Sequence, residues 1–441
     1  MAGSVFRVAF AALLLFQSWT AAYVKRQREN QWVDIWGSMP QLVEPANLPP
    51  APYNATGVVF QDATIRQTIF LTQSAPKIRL VISNVFGGSD LPISAATIAL
   101  PLNGSAGTSA VKPETLVPLT FSGGLPNFTI PNGARIISDP VDFPVTAQQV
   151  LTISLYLASG QTTNSITGHP GSRTTSFYAP GNQTGEADLS ADPATQSSAH
   201  WYFISAVEAY LPTSETSGAV AIVGDSITDG RGSTTDQNNR WPDNLVRRLQ
   251  AANATALQRG LAVVNQAAGG NRVLADGLGP NALGRIDRDV LAQSGVRYVV
   301  VFEGVNDIGT AAATAAAQQA VGDRLLAAYA QVIGLVHARG LPVFGATITP
   351  FGGNASVQAY SDPAREVTRQ RVNAWIRTSG RFDGVVDFDA AVRDPANGTM
   401  LSPLYDSGDY LHLNPAGYVA MAQAVDLSLF EKFRDGVDEE V

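Results

Sequence analysis

Ser226 is the first residue of this chain whose type and setting could do covalent chemistry. It lies in Gly224-Asp225-Ser226, directly after the apolar run 219–223, and this order predicts a strand that turns tightly into a helix. Such a turn exposes the hydroxyl at the edge of a sheet, where the helix N-terminus aims N–H groups at a nearby anion. Ser226 is therefore a candidate nucleophile, although the same residues are also typical of a turn that caps a helix.

A serine nucleophile needs a base, and among the four histidines of the chain His412 has a carboxylate, Asp409, close before it. Asn414 and Pro415 are typical of an N-cap and a first helical residue, so His412 is expected in an exposed loop before the last helix. There Asp409 can reach Nδ1 and leave Nε2 free to take the serine proton. A surface loop that only caps a helix is the competing interpretation.

The other histidines give weaker signals. His169 lies in the Gly-rich segment 168–171, where a functional role stays open. His200 begins an apolar run and His337 falls near the end of a helical pattern, so both are interpreted as structural.

Two further segments could complete a site for an oxyanion. Gly270 follows the apolar run 261–265, and Asn306 follows the run 298–302. The Gly270 N–H, the Asn306 amide and the Ser226 N–H could together donate three hydrogen bonds to a tetrahedral oxyanion. Gly269 is a weaker rival of Gly270, and each segment alone is also explained by a turn.

Strands and helices alternate in the second half of the chain, and this alternation predicts a doubly wound α/β domain with a parallel sheet. The predicted strands are 219–223, 261–265, 298–302, 342–348 and 385–388, and the predicted helices are 241–252, 311–338, 363–379 and 415–433. Ligands of such sheets bind beyond the carboxyl ends of the strands. Ser226, Gly270 and Asn306 all follow predicted strands, so they are expected at that edge.

Short β-type runs broken by Gly, Pro, Asn and Ser fill residues 31–211 and predict an all-β, sandwich-like domain. The runs are 64–72, 77–85, 95–100, 150–157 and 201–210, whereas 160–198 has little periodicity and is predicted as a long loop. The connection 212–218 is too short for a flexible tether. The two halves are therefore expected to pack as one unit.

Taken together, the blocks around Ser226, Gly270, Asn306 and His412 resemble those of the GDSL, or SGNH, hydrolases over about residues 219–430. The resemblance implies a three-layer α/β/α, flavodoxin-like catalytic domain over 219–441 and ester hydrolysis through an acyl-enzyme, without metal or cofactor. It also implies a triad of Ser226, His412 and Asp409 and an oxyanion hole of Ser226, Gly270 and Asn306. The β-rich half lies outside the match, and its role stays open.

The N-terminus predicts export. Residues 1–22 combine Arg7 with an apolar run of about half the length of a membrane span, which is typical of a cleaved signal peptide. Residues 23–30 include Lys25-Arg26, a candidate dibasic processing site that would place the mature start at Gln27, with a surface charge pair as the competing interpretation. We therefore expect a secreted, extracellular protein without a transmembrane segment. N-glycans are expected at seven Asn-x-Ser/Thr sequons, which start at Asn54, Asn103, Asn127, Asn182, Asn253, Asn354 and Asn397.

Composition and missing motifs exclude several other classes of function. The net charge of −8, with only 29 Lys and Arg, argues against nucleic-acid binding. The chain has no Cys, no Gly-x-Ser-x-Gly, no His-Glu-x-x-His and no Walker A loop. The sequence therefore predicts a secreted serine esterase acting on small-molecule or carbohydrate esters. The alternative is a glycan- or wall-binding protein with a catalytically silent hydrolase fold. The acyl group, the alcohol and the oligomeric state stay open.

Overall fold

The computed structural model describes residues 29–438, so the predicted signal peptide and most of the dibasic segment lie outside the described residues. The N-terminal part is built from antiparallel strands. They are β1 Asn30–Gly37, β2 Gln41–Leu42, β3 Ala63–Phe70, β4 Ile78–Ser83, β5 Leu91–Ile93, β6 Ala95–Ala99, β7 Val117–Pro118, β8 Phe128–Ile130, β9 Arg135–Ile137, β10 Val150–Leu157, β11 Thr167–His169, β12 Ser176–Pro180, β13 Gln196–Ser198, β14 Trp201–Tyr202 and β15 Ile204–Pro212. Short 3-10 turns lie at Pro45–Asn47, Leu102–Gly104, Pro113–Thr115 and Leu189–Ala191.

Two larger sheets of the N-terminal part enclose a common apolar core. Their strand orders are β1-β15-β4-β9 and β13-β12-β3-β10-β6-β7. Strand β10 shows how the sequence builds this core, because Leu151, Ile153 and Leu155 are fully buried in it and alternate with polar residues on the other face. Smaller sheets of order β14-β11-β2 and β5-β8 complete the β-rich region.

Two predictions for the N-terminal part were wrong. Residues 160–198, predicted as a long loop, contain β11, β12 and β13. These strands are short and carry few apolar residues, so no alternation marks them in the sequence. The run 201–210 is divided between β14 and β15, because Phe203 between them has a left-handed φ of 65°.

The C-terminal part holds a five-stranded parallel sheet of order β17-β16-β18-β19-β20, which is the flavodoxin-like order 2-1-3-4-5. Its strands are β16 Gly218–Gly224, β17 Leu261–Ala267, β18 Val296–Phe302, β19 Val343–Ala346 and β20 Gly384–Val386. The helices are α1 Ser226–Asp229, α2 Trp241–Leu249, α3 Ala256–Gly260, α4 Ala282–Ile286, α5 Val305–Thr310, α6 Ala315–His337, α7 Pro363–Thr378, α8 Phe388–Val392, α9 Pro415–Ala424 and α10 Ser428–Lys432, with a π-helical turn at Asp287–Leu291. Helix α6 packs on α7, and α2 packs on α9. The predicted α/β fold is confirmed.

The last predicted helix, 415–433, is two helices. Val425 is extended, so α9 ends at Ala424, and Arg248 donates a hydrogen bond of 2.7 Å to the Val425 carbonyl. The Asp426 carboxylate then accepts the Ser428 N–H at 2.9 Å. Helix α10 begins at Ser428, with Leu427 at its N-cap position.

Strand β17 joins the two parts of the chain. Its residues Leu261 and Val263 lie in the core of the C-terminal part, whereas Ala262 and Val264 lie in the core of the N-terminal part. The Val263 N–H, on the free edge of the sheet, donates to Thr72 Oγ1 at 3.0 Å. A parallel sheet must be covered on both faces, and here the β-rich region covers part of one face.

In the part of the chain that the structure describes, no helix is both long and apolar enough to cross a membrane.

Candidate active site

The carboxyl edge of the parallel sheet brings Ser226, His412 and Asp409 together. Ser226 Oγ lies 2.8 Å from His412 Nε2, although the two residues are 186 positions apart in the chain. Asp409 Oδ2 lies 2.6 Å from His412 Nδ1. A hydroxyl, an imidazole and a carboxylate in this order can pass the hydroxyl proton to the ring.

The turn after β16 holds Ser226 at the first position of α1. The Asp225 carboxylate caps this one-turn helix by accepting the Ile227 N–H at 2.9 Å. Gly224 is required before it, because a Cβ there would lie 2.5 Å from the Thr228 side chain. The turn therefore presents the hydroxyl at the end of the strand, as the sequence predicts.

The loop before α9 holds the base by its own carboxylate. Asp409 Oδ1 accepts the backbone N–H groups of Leu411 and His412 at 3.0 and 2.8 Å, while Oδ2 contacts the ring. Asn414 caps α9 by accepting the Gly417 N–H at 3.0 Å. The contact between Asp409 and the His412 ring and the capping of α9 by Asn414 were both predicted from the spacing of these residues in the sequence.

The two titratable partners have shifted pKa values. Burial lowers the pKa of His412 below its usual value, and the neighbouring Arg231 and Arg173 lower it further, against the opposing effect of Asp409. Burial alone would raise the pKa of Asp409, but hydrogen bonds from His412 and from backbone N–H groups outweigh it and hold the pKa well below the usual range. His412 can therefore be neutral beside an ionised Asp409.

One expectation for these residues was wrong. Ser226 and His412 were expected on exposed loops, but they are only 6% and 4% exposed. Segments from both parts of the chain pack against the catalytic loops: Gly171 lies against the Asp229 side chain, and Gln358 Nε2 donates to the Asp409 carbonyl at 3.1 Å. The spacing of residues in the sequence does not show these contacts.

Gly270 lies in a tight turn after β17. The Asn271 N–H donates to the Ala268 carbonyl at 3.2 Å, and Gly270 has a φ of 72°. This is the third position of a type II turn, where glycine is favoured. A Cβ on Gly269 would instead lie 3.9 Å from the Asp229 carboxylate.

The Asn306 amide is fixed in orientation by two neighbours. Its Nδ2 donates to the Asn271 carbonyl at 2.8 Å, and its Oδ1 accepts from the Tyr360 hydroxyl at 3.1 Å. Because a carbonyl only accepts, the amide nitrogen must point towards Asn271. The second N–H of Nδ2 is then available to an oxyanion.

Arg285 supports the segment that carries Gly270 and orients Asn306. The buried guanidinium donates to Asn271 Oδ1 from Nε at 3.1 Å and from Nη2 at 2.9 Å, and Nη1 donates to the Gln266 carbonyl at 2.6 Å. Asp307 holds the same segment from the other side, since its carboxylate accepts the N–H groups of Val273 and Leu274. The donors proposed from the sequence thus rest on a network that the sequence does not show.

A group of buried carboxyls lies beneath the nucleophile. Burial raises the pKa of Glu303 and Asp225, and the negative charges around them raise it further. Arg285 Nη2 lies 3.6 Å from Glu303 Oε1. The Arg285 guanidinium therefore lies near two carboxyl groups, those of Glu303 and Asp289. The raised pKa of Glu303 favours the neutral form of its carboxyl group.

A family model described as GDSL-like lipase/acylhydrolase matches residues 222–420, which include all five predicted site residues. The C-terminal half of this chain belongs to the GDSL/SGNH hydrolase family. No curated protein matches the chain.

Solved structures similar to this GDSL-like chain each cover about half of its length. An acetylxylan esterase from Geobacillus stearothermophilus is 22% identical over 48% of this chain and 94% of its own, with a TM-score of 0.34. A GDSL-like lipase from Bacteroides thetaiotaomicron is 17% identical over 49% and 89%, with a TM-score of 0.35. An aryl esterase from M. smegmatis is 16% identical over 50% and 100%, with a TM-score of 0.36.

The other three histidines of this GDSL-like hydrolase have different roles. His169 Nε2 lies 2.8 Å from Asp229 Oδ1, so a residue of the β-rich region contacts the helix that begins with Ser226. His200 Nδ1 contacts the Pro170 carbonyl at 2.7 Å, and His337 contacts Asp383 at 2.8 Å.

Sequence reasoning missed Arg285, Asn271 and Tyr360, which position the predicted oxyanion donors. A single sequence carries only a weak signal for each of them. For Arg285 the reason is that an arginine in a helical segment is usually a solvated residue. The signal that could have found Asn271 is its position directly after Gly270.

Proposed function

We propose that this chain is a secreted serine esterase that hydrolyses carboxylic esters through an acyl-enzyme. The observation that supports this most strongly is the hydrogen-bonded series Ser226, His412 and Asp409, with distances of 2.8 and 2.6 Å. The family supports ester hydrolysis as the general reaction.

In the proposed first step, Ser226 Oγ attacks the ester carbonyl carbon and its proton passes to His412 Nε2. The carbonyl oxygen becomes an oxyanion, which accepts hydrogen bonds from the N–H groups of Ser226 and Gly270 and from Asn306 Nδ2. The intermediate collapses when the C–O bond to the alcohol breaks and His412 returns the proton to the leaving oxygen. The acyl group stays on Ser226.

In the second step, a water molecule attacks the acyl carbonyl while His412 Nε2 takes a water proton. The same donors hold the second oxyanion. The bond to Ser226 Oγ then breaks, the proton returns to Oγ, and the carboxylic acid leaves. Asp409 stays ionised throughout and keeps the ring oriented, consistent with its lowered pKa.

We also propose that the protein is exported and N-glycosylated. The proposal rests on the N-terminal sequence pattern and on the exposure of all seven sequon asparagines. They are Asn54, Asn103, Asn127, Asn182, Asn253, Asn354 and Asn397. A glycan at any of these positions would project into solvent.

The experiment for the proposed function combines a substrate panel with active-site labelling. p-Nitrophenyl esters from acetate to palmitate and acetylated sugars are assayed with the full chain, and a fluorophosphonate is used as the probe. We expect ester hydrolysis and a label on Ser226. A label on a different serine, or no hydrolysis of any ester, contradicts the proposal.

The activity should fall on the acid side of the pH profile. The base must be neutral, and burial lowers the pKa of His412 below the usual value of about 6.5, so the fall in kcat/KM should lie below that pH. Because Asp409 opposes that shift, Asp409→Asn should move the fall to still lower pH and reduce kcat. The measurement is kcat/KM across the acid range, and a fall centred above pH ~6.5 contradicts the assignment of the base.

Asn306→Ala should lower kcat by about 10²- to 10³-fold, the usual loss for one oxyanion donor, with a smaller change in KM. Tyr360→Phe keeps the amide but loses the hydroxyl that holds it, so its loss should be smaller. Steady-state kinetics of both variants tests this order. A raised KM at unchanged kcat would make Asn306 a substrate-binding residue instead.

A further inference from the structure

Gln358 connects the loop that holds the base with the residues that hold an oxyanion donor. Its side chain is buried, and both ends of its amide are used. Nε2 donates to the Asp409 carbonyl at 3.1 Å, and Oε1 accepts the Tyr360 N–H at 3.0 Å. A backbone carbonyl only accepts and a backbone N–H only donates, so these two partners fix the orientation of the amide. Gln358 therefore joins the Asp409 loop to the segment before α7.

Tyr360 extends this connection to the oxyanion donor. Its hydroxyl donates to Asn306 Oδ1 at 3.1 Å. Its ring lies on Gly309 of α5, the helix that carries Asn306, and a Cβ at Gly309 would overlap the ring. Hydrogen bonds thus run without interruption from the Asp409 carbonyl, through residues 358–360, to the Asn306 amide.

The peptide group between Asp409 and Tyr410 is held on both sides. Tyr410 has a φ of 61°, in the left-handed region that non-glycine residues seldom adopt. Its N–H donates to Asp406 Oδ1 at 3.1 Å, while the carbonyl of the same peptide accepts from Gln358. A strained backbone persists only where its surroundings maintain it, and such strain is common at active sites. Here the strain lies directly next to the residue that orients the base.

The segment that carries Gln358 is itself anchored. The Gln358 N–H donates to the Asn354 carbonyl at 2.8 Å. Ser361 Oγ accepts the Gly353 N–H at 2.9 Å and donates to the Gly353 carbonyl at 2.8 Å. Gly353 also lies against the Tyr410 ring, which a Cβ at this position would overlap. Residues 353–361 therefore form a loop that is closed by its own hydrogen bonds and can hold the Gln358 side chain in one place.

We propose that Gln358 is a positioning residue for ester hydrolysis, which holds the Asp409 loop and the Asn306 amide in one fixed arrangement. Proton transfer to His412 and the hydrogen bonds to the oxyanion belong to the same step, so the base and the donor must be in place at the same time. Gln358 acts through these neighbours and not on the substrate. The inference rests on the proposed esterase function.

Gln358→Met tests the proposal, because methionine has a similar length but lacks the amide. We expect kcat for p-nitrophenyl acetate to fall by about 10- to 100-fold, with KM changed by less than about threefold. The fall of kcat/KM at acid pH should move to lower pH, as in Asp409→Asn, because a loosely held Asp409 supports the protonated His412 ring less well. Arg231 and Arg173, the other charged groups that shift the pKa of this ring, are unchanged in the variant.

A purely structural role would give a different result. In that case the melting temperature of Gln358→Met would fall, but kcat and the pH profile of the folded variant would stay normal, and this outcome overturns the proposal. Gln358→Asn keeps an amide with one methylene fewer. It replaces Gln358→Met in every measurement, with the same outcomes, if the methionine variant does not fold.

A double-mutant cycle tests the link to the oxyanion donor. Tyr360→Phe removes the hydroxyl that holds Asn306, and Gln358→Met removes the acceptor that holds the Tyr360 backbone. If both act on Asn306 by the same path, the double variant should lose less kcat than the product of the two single losses. Losses that multiply would show that the two residues act independently, and the proposal would be wrong.

Gln370→Met is the matched control, since it makes the same change at an exposed glutamine of α7 whose Nε2 donates to Glu366 at 2.8 Å. Its kcat and pH profile should be normal, and a loss equal to that of Gln358→Met would contradict the proposal. Ester cleavage through Ser226 with normal kinetics in Gln358→Met would refute this inference alone. Failure of the full chain to cleave any ester would instead refute the proposed function.

Discussion

Ser226→Ala should lower kcat for ester hydrolysis by about 10⁴- to 10⁶-fold and leave the fold intact. The hydroxyl is the group that would form the acyl-enzyme, and the hydrogen bond described for it is the one with His412. Residual hydrolysis above the rate in water should persist, because the oxyanion donors and the binding surfaces remain. Steady-state kinetics and a thermal melt of the same preparation measure both parts of this expectation.

Ser233→Ala is the matched control, since Ser233 lies in the loop that follows α1. We expect normal kcat and KM for this variant. If folded Ser226→Ala kept more than about a hundredth of the esterase activity, a different residue would be the nucleophile. A fluorophosphonate label that persisted in Ser226→Ala would then identify it.

These site residues could be predicted from the sequence because their positions are set by the strand or loop that each of them belongs to. Ser226, Gly270 and Asn306 each follow a strand of the parallel sheet, and parallel strands end at the same edge. Asp409 is close enough in sequence to contact His412 within one loop. Apolar runs bounded by Gly, Asn and Asp also made the five strands recognisable.

The rest of the site depends on contacts between distant segments, which one sequence does not reveal. Arg285 reaches back to Asn271 from the first helix after it, and Tyr360 reaches Asn306 from the segment before α7. His169 contacts Asp229 across the two parts of the chain. The burial of Ser226 has the same origin, because the cover comes from loops whose position no periodicity predicts.

The second large effect is expected when the β-rich region is removed. Residues 218–441 expressed alone should be insoluble, or should melt at a much lower temperature than a chain that keeps the β-rich region. Without that region Ala262 and Val264 would face water, and Val263 N–H would lose its acceptor on Thr72. Exposed apolar surface and an open sheet edge both favour aggregation.

The same deletion should also damage the active site itself, beyond its effect on solubility. It removes His169, which contacts the carboxylate of Asp229 at the end of α1. The measurements are solubility, melting temperature and kcat/KM of the fragment beside the full chain. In the full chain, Val264→Asp places an unpaired charge in the shared core and should lower the melting temperature, whereas Val367→Asp, at a residue that is 69% exposed, is the control. A soluble fragment with unchanged stability and kinetics would show that the two parts are independent.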